Sequence, residues 1–292
     1  MRGRIIKGIA GFYYVFAEPA GKLFECKAKG IFRKDRLKPL IGDQVEIEIL
    51  DEQEQTGNIT RLYPRRNALI RPQVANIDQA MLVFALIKPI PNFLMLDKLL
   101  LQYKRQEIPV LLCFNKEDLV SETEVFSACG VYKNSGCALL VTSVKNGEGI
   151  EELRTLLTGK TTSVAGPSGV GKSSLINCLQ TDVKMETGSI SKKADRGKHT
   201  TRHSEIIRIS EDTYIMDTPG FSSFDVFGLE CGEVADYYKE FADFRTCRFQ
   251  PCSHTHEPDC GVKEAVAAGK INPSRYEGYV QIYKELKEQR RY

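Results

Sequence analysis

The stretch Thr162-Ser-Val-Ala-Gly-Pro-Ser-Gly-Val-Gly-Lys-Ser-Ser174 constrains the fold more than any other part of the chain. It contains Gly166-x-x-x-x-Gly171-Lys172-Ser173, the phosphate-loop pattern, between a short strand-like run and a helix opening at Ser174-Leu-Ile-Asn-Cys-Leu. Glycine lets the backbone turn tightly enough for successive N–H groups to point inward at a phosphate. Gly166, Pro167, Ser168, Gly169, Val170 and Gly171 supply that cradle. Lys172 is placed to reach the β- and γ-phosphates and Ser173 to hold Mg²⁺, while Ser174 begins a helix whose N-terminal dipole favours the same anion. The competing reading, a Gly/Ser-rich turn that matches by accident, does not explain the strand–loop–helix setting.

A phosphate loop does not say which base is bound. The guanine-reading pattern Asn-Lys-x-Asp normally lies C-terminal to the loop, but no Asn-Lys pair follows Ser173. One precedes it, Asn115-Lys116-Glu117-Asp118, directly after the apolar run Pro109-Val-Leu-Leu-Cys-Phe114. The Asp118 carboxylate can accept hydrogen bonds from guanine N1–H and the 2-amino group. Adenine lacks that pair and would leave the carboxylate unpaired. Asn115 would contact the other edge of the base and the phosphate loop, and the Lys116 stem would cover one ring face. Ala138-Leu-Leu-Val-Thr142-Ser143-Val-Lys145 reads as a strand ending in a loop like the Ser-Ala-Lys segment that backs the base in GTPases.

The remaining nucleotide elements follow the phosphate loop. Tyr214-Ile-Met-Asp217-Thr-Pro-Gly220 is an apolar strand ending in Asp-x-x-Gly; Asp217 would hold Mg²⁺ through water and the Gly220 N–H would touch the γ-phosphate. Between them lies Arg196-Gly-Lys-His-Thr-Thr-Arg-His203, where Thr201, with Thr200 as the alternative, would complete the Mg²⁺ shell. The usual water-positioning Gln after Asp-x-x-Gly is here Phe221, which cannot serve; His199 is the candidate replacement. The linear order is thus a circular permutation of the GTPase order.

The 292 residues suit two or three compact units. No apolar run is long enough to span a membrane, and the start Met1-Arg-Gly-Arg-Ile-Ile-Lys has no signal-peptide core, so a cytoplasmic location is expected. Nine cysteines, an odd count, in a nucleotide enzyme point to reduced thiols. Net charge is +3, and the positive excess lies in residues 1–66, which suits a phosphate-backbone partner as well as a solvated face.

Residues 1–66 predict short strands over Arg4–Phe16, Lys22–Lys29, Gln44–Leu50 and Asn58–Leu62, a small barrel of the oligonucleotide-binding (OB) type with an SH3-like barrel as alternative. Arg33-Lys-Asp-Arg-Leu-Lys38, with Phe32, reads as an RNA-contacting loop, and Phe12 and Tyr14 as barrel core. Residues 67–228 alternate strands and helices as a doubly wound α/β domain. Residues 229–292 hold Cys247-x4-Cys252-x-His254-x5-Cys260, a donor set suited to a closed tetrahedral Zn²⁺ site with His256 as a rival for His254. Helices are expected at Val262–Ala268 and Tyr276–Arg291.

The permuted order, Arg-Gly-Lys-His-Thr-Thr, Asp-Thr-Pro-Gly-Phe and the Cys/His cluster occur together, with Gly-Ile-Phe-Arg-Lys and Pro-Leu-Ile-Gly-Asp near the start. This combination resembles the family of ribosome small subunit-dependent GTPase A (RsgA, YjeQ or YloQ) along the whole chain. The resemblance implies an OB barrel, a permuted GTPase domain and a mostly α zinc domain. It implies GTP hydrolysis. GDP and phosphate are the expected products, with Mg²⁺ bound alongside GTP, one structural Zn²⁺ in the Cys/His cluster and a monomer when free. It also implies 16S rRNA contacts and stimulation by the small (30S) subunit in its late maturation. The alternatives are an ATPase or kinase, disfavoured by Asn115 and Asp118, and a permuted GTPase or inert RNA-binding module acting on another RNA.

Overall fold

The computed structural model describes residues 1–29, 32, 37–69, 73–186, 205–217 and 228–289. They fall into two compact units that interleave along the chain: one within Met1–Gln79, Arg154–Ala165 and Leu175–Gly220, the other within Ala80–Leu153, Gly166–Ser174 and Phe221–Tyr292.

In the first unit, β1 (Arg2–Ile9), β2 (Phe12–Ala17), β3 (Lys22–Ala28), β4 (Gln44–Asp51) and β5 (Thr56–Leu62) close a barrel. The order is β1-β2-β3-β5-β4 and back to β1, with β3 and β5 parallel and the other pairs antiparallel. This five-stranded closure is the OB connectivity. The run Arg4–Phe16 is not one strand. Ala10 (φ 50) and Gly11 (φ 88) turn it into a hairpin that sets Ile9 opposite Phe12. The turn fixes which residues face inward. Val15 and Ala17 enter the core with Ile5, Phe24, Val45, Ile47 and Ile59. Phe12 and Tyr14 therefore lie on the other face, half-buried, Phe12 beneath the Lys27 ammonium and Tyr14 bonded to Glu25. Phe32 is also a core residue, buried in the barrel, rather than a solvent-facing base contact. Arg33–Arg36 lie outside the described residues.

The barrel continues into a larger sheet. β1 pairs with β10 (Glu205–Arg208), β10 with β11 (Tyr214–Asp217), and β11 in parallel with β9 (Thr161–Ala165). Lys7 pairs with Glu205 at 3.0 Å, and the Arg4 guanidinium reaches Thr161 Oγ1 at 2.8 Å while lying over the Tyr214 ring.

In the second unit, β6 (Gln79–Ala85), β7 (Val110–Asn115) and β8 (Ala138–Thr142) run parallel, and β6 and β7 are buried throughout, as unbroken apolar runs require. Asn92 caps helix α1 (Phe93–Lys104), and Ser121 with Glu124 forms the capping box of α2 (Glu122–Tyr132). Helix α3 spans Ile150–Leu157 and α4 spans Lys172–Glu186. The C-terminal region has two 3-10 segments, Cys231–Tyr237 and Lys239–Phe244, that the sequence did not suggest, then α5 (Gly261–Ala267) and α6 (Pro273–Gln289). Tyr279, Ile282 and Leu286 of α6 share a core with Val234, Tyr238, Phe241 and Leu101 of α1.

A buried ionic group joins these elements. Arg275 of α6 donates from Nε to Glu240 Oε1 at 2.6 Å and from Nη1 to Asp97 Oδ1 of α1; the Tyr132 hydroxyl donates to the same Asp97 oxygen at 2.8 Å. Gly278 makes room for it, since a Cβ there would lie 2.1 Å from Asp97 Oδ2. Arg275→Met strands two buried carboxylates and should cost about 3–5 kcal/mol. Gly278→Ala should cost about 1–3 kcal/mol by overpacking. Denaturant unfolding of the whole chain checks both; wild-type midpoints would show that α6 is not held by this group.

Candidate functional site

The phosphate loop runs from the end of β9 to the first turn of α4 and approaches its neighbours at backbone contact. Gly166 (φ 146) is so near β6 that a Cβ would meet the Val83 carbonyl oxygen at 2.1 Å. Gly171 (φ 98) is as near Asn115, whose Nδ2 a Cβ would meet at 2.3 Å. Only glycine fits both the space and the dihedral. The Lys172 ammonium crosses the loop, donating to the carbonyls of Gly166 at 2.8 Å and Pro167 at 2.6 Å. Val170 is buried beneath the loop, and Ser173 and Ser174 are exposed at the first turn of α4.

The base motif, although it comes some fifty residues earlier, clasps this loop. Asn115 ends β7, is buried, and donates from Nδ2 to the Val170 carbonyl at 2.9 Å. Its Oδ1 accepts from the Thr142 hydroxyl at 3.0 Å, which fixes the amide orientation. Lys116 takes a left-handed conformation (φ 68), and its ammonium bridges the carbonyls of Gly169 at 2.7 Å and Lys88 at 2.6 Å. Asp118 Oδ1 accepts from the Ser143 hydroxyl at 2.8 Å, and its Oδ2 lies 3.6 Å from the Lys145 ammonium. A carboxylate held by one oxygen can present the rest of its lone pairs to paired N–H donors.

Asn115, Lys116, Asp118, Thr142 and Ser143 thus lie with residues 166–174 in one compact unit. Thr142 is wholly buried and touches Asn115 and the Cys113 sulfur. Lys88 is a contributor that sequence reasoning missed; it is used through its carbonyl, which leaves no side-chain signature. Asp217 ends β11, paired with Glu205 and Val164. Its side chain, with His199, Thr200, Thr201, Gly220 and Phe221, lies outside the described residues.

The second constellation is the Cys/His cluster. The Sγ atoms of Cys247, Cys252 and Cys260 and a ring nitrogen of His254 lie within 4.8 Å of one another. His254 Nδ1 is 3.4 Å from both Cys247 Sγ and Cys260 Sγ, and those two sulfurs are 3.7 Å apart. A tetrahedral ion with metal–sulfur bonds of about 2.3 Å and metal–nitrogen bonds of about 2.0 Å has edges of about 3.5–3.8 Å, so these four residues fit a metal ion. Burial, with Arg245 adding, holds the His254 imidazole below its ordinary pKa, in the neutral form that ligates. Tyr276 and Tyr279 brace the loop through the carbonyls of His254 at 2.8 Å and Ser253 at 2.6 Å. His256 is not in the cluster; it is exposed and faces Thr255.

Comparison with known proteins places these features in a family. The chain matches the model for the RsgA N-terminal domain over residues 2–59 and that for the RsgA GTPase over residues 62–227. It is 55% identical to the small ribosomal subunit biogenesis GTPase RsgA of Agathobacter rectalis, with both chains covered in full. The crystal structure of YjeQ from Thermotoga maritima is similar with a TM-score of 0.82 and 35% identity, covering 98% of each chain. That of YloQ, titled a circularly permuted GTPase, gives 0.78 and 32%, covering 99% of this chain and 95% of that one. Motif order, clasp and likeness define a circularly permuted phosphate-loop GTPase, a GTP hydrolase. The chain belongs to the RsgA GTPase family.

The cluster geometry separates the two histidines. His254→Ala or Cys252→Ser should lose bound metal and lower the melting temperature, whereas His256→Ala should keep both. Elemental analysis of the purified protein reads this directly, and metal loss in the His256 variant would show that the wrong ring had been chosen.

Proposed function

We propose that this protein binds the small ribosomal subunit through rRNA and couples GTP hydrolysis to late subunit maturation or factor release. What supports this most is a relative over half identical along the whole chain that carries the name of a small ribosomal subunit biogenesis GTPase. The clasp of the base motif on the phosphate loop gives the reading its chemistry.

In this reading, Asn115, Lys116 and Asp118 select guanine, with Thr142 and Ser143 behind them. The loop from Gly166 to Gly171 cradles the phosphates, and Lys172 neutralises the β- and γ-oxygens. Ser173, Asp217 and Thr201 hold Mg²⁺, which when bound supplies further neutralisation of the phosphates. The Gly220 N–H contacts the γ-phosphate. His199 positions the attacking water once the ribosome is bound, since Phe221 cannot. Zn²⁺ is the ion of Cys247, Cys252, His254 and Cys260; with four protein ligands it leaves no open position and is structural. The working domains are residues 1–66, an OB barrel for RNA, 67–228, the GTPase, and 229–292, the zinc region. The chain acts in the cytoplasm and is monomeric when free. Among the described residues no helix is long and apolar enough to cross a membrane.

GTP turnover should rise strongly with purified small subunits and stay at its basal rate with large subunits or none. Equal turnover in all three would remove the small subunit as partner. His199→Ala should abolish the stimulated rate and leave GTP affinity nearly intact; retained stimulation would assign water positioning elsewhere. Asp118→Asn should weaken GTP by roughly a hundredfold or more and favour xanthosine triphosphate, because one acceptor becomes a donor. A competition assay with both nucleotides decides it.

A further inference from the structure

The roles above leave one cationic cleft of the second unit unused. It has a volume of about 520 Å³ and lies where the end of α1 and the turn after α2 meet the two 3-10 segments. Three cations line it, Lys104, Lys239 and Arg245, against one carboxylate, Asp236.

Each cation is held in a way that leaves charge or a donor to spare. The half-buried Lys104 ammonium donates to the carbonyls of Ser135 at 2.7 Å and Tyr237 at 3.1 Å, and no carboxylate pairs with it among the described residues. Burial lowers its pKa, and the Glu240 and Asp97 carboxylates nearby offset this only in part. An ammonium has three N–H donors, so one remains. The Lys239 stem lies over Gly136, where a Cβ would come within 2.5 Å of its Cδ. That contact steers the side chain along the cleft wall, and its exposed ammonium has no partner among the described residues. Arg245 pairs with Asp236 at 2.5 Å and donates to the Ala235 carbonyl, while its buried Nε has no hydrogen-bond partner. The lining therefore carries an excess of positive charge, three cations against one anion.

We propose that this cleft binds the phosphodiester backbone of RNA, as a second phosphate site apart from the phosphate loop. Cations drawn from separate segments into one concavity match a chain of phosphates, and a phosphate oxygen would take the N–H of Lys104 that the Ser135 and Tyr237 carbonyls leave open. The choice of RNA rests on the ribosomal reading; the phosphate chemistry does not.

The test uses the full-length protein and two probes, purified small subunits and a short RNA duplex, each titrated across salt. Lys239→Glu should weaken binding to both by roughly five- to tenfold at low salt and make the log–log salt slope shallower by about one. Lys239→Arg should bind as wild type. Lys284→Glu, the same charge change on the exposed face of α6, should also bind as wild type. GTP affinity and the circular dichroism spectrum should stay unchanged in all three. If Lys239→Glu binds both probes as wild type does, or if Lys284→Glu weakens them equally, the cleft is not a phosphate site. If the wild type binds the duplex through Lys239 but does not bind small subunits, the ribosomal reading fails and the cleft stands.

Discussion

The nucleotide site depends on one close approach, that of the phosphate loop to the ends of β6 and β7. With a methyl group at Gly166 or Gly171 the loop would be pushed off the Val83 carbonyl and the Asn115 amide. Those contacts are what allow Asn115 to donate to Val170 and Lys116 to bridge Gly169 and Lys88. The arrangement also explains how the motif order can be permuted. The base motif and the phosphate loop are joined by side-chain bonds and backbone proximity, not by the peptide segment that connects them elsewhere. Moving the chain ends leaves those contacts as they are, provided both segments still end parallel strands. β7 carries the base motif and is parallel to β6 and β8; β9 carries the phosphate loop and is parallel to β11.

The C-terminal region depends on a different device. One guanidinium faces two carboxylates away from water, and Asp97 Oδ2 and Glu240 Oε2 have no hydrogen-bond partner. Burial pushes the Asp97 carboxyl up to about 6 despite Arg275 beside it. Such a group contributes little net stability compared with an apolar replacement of the same shape. What it imposes is direction: α6 must present Arg275 to Asp97 and, one turn on, Gly278 to the same side chain. A purely apolar α6 face could slide along α1; a fork bonded to two carboxylates cannot. The interaction sets the docking of α6, and with it Tyr276 and Tyr279, which brace the metal-binding loop.

Features written in short sequence windows were legible before the structure. The phosphate loop, the Asn115–Asp118 motif, the buried strands β6 and β7 and the Cys247–Cys260 donor set all have fixed local spacing. Their geometry follows from a few adjacent residues. What the sequence hid is non-local or depends on parity. Phe12 and Tyr14 look like core residues until the Ala10-Gly11 turn reverses the strand and assigns the inward face to Val15 and Ala17. Phe32 sits in a basic stretch yet fills the barrel, because closure brings β3 and β5 beside it. Arg275 and Asp97 are 178 positions apart, and neither carries a pattern that points to the other. Lys88 serves through its carbonyl, which every residue has.

The pairing of β1 with β10 bears on how the barrel relates to the strands that follow the phosphate loop. A barrel tethered by a linker alone could reorient freely. Here β1 contributes Lys7 to a bridge and an ion pair with Glu205, the first residue of β10. β1 also sends Arg4 to Thr161 of β9 and over Tyr214 of β11, and Arg208 of β10 lies over Phe16 of β2. Side chains alternate along a strand, so a slip of one residue in β10 would turn Glu205 away from Lys7 and Arg208 away from Phe16. Arg4 strengthens the constraint, since its half-buried charge finds a hydroxyl, the Gln44 amide and an aromatic face but no carboxylate within bonding distance among the described residues. A charge held that way has few alternative placements at comparable free energy. The barrel strand therefore sets the register of β10, β10 sets that of β11, and β11 ends at Asp217.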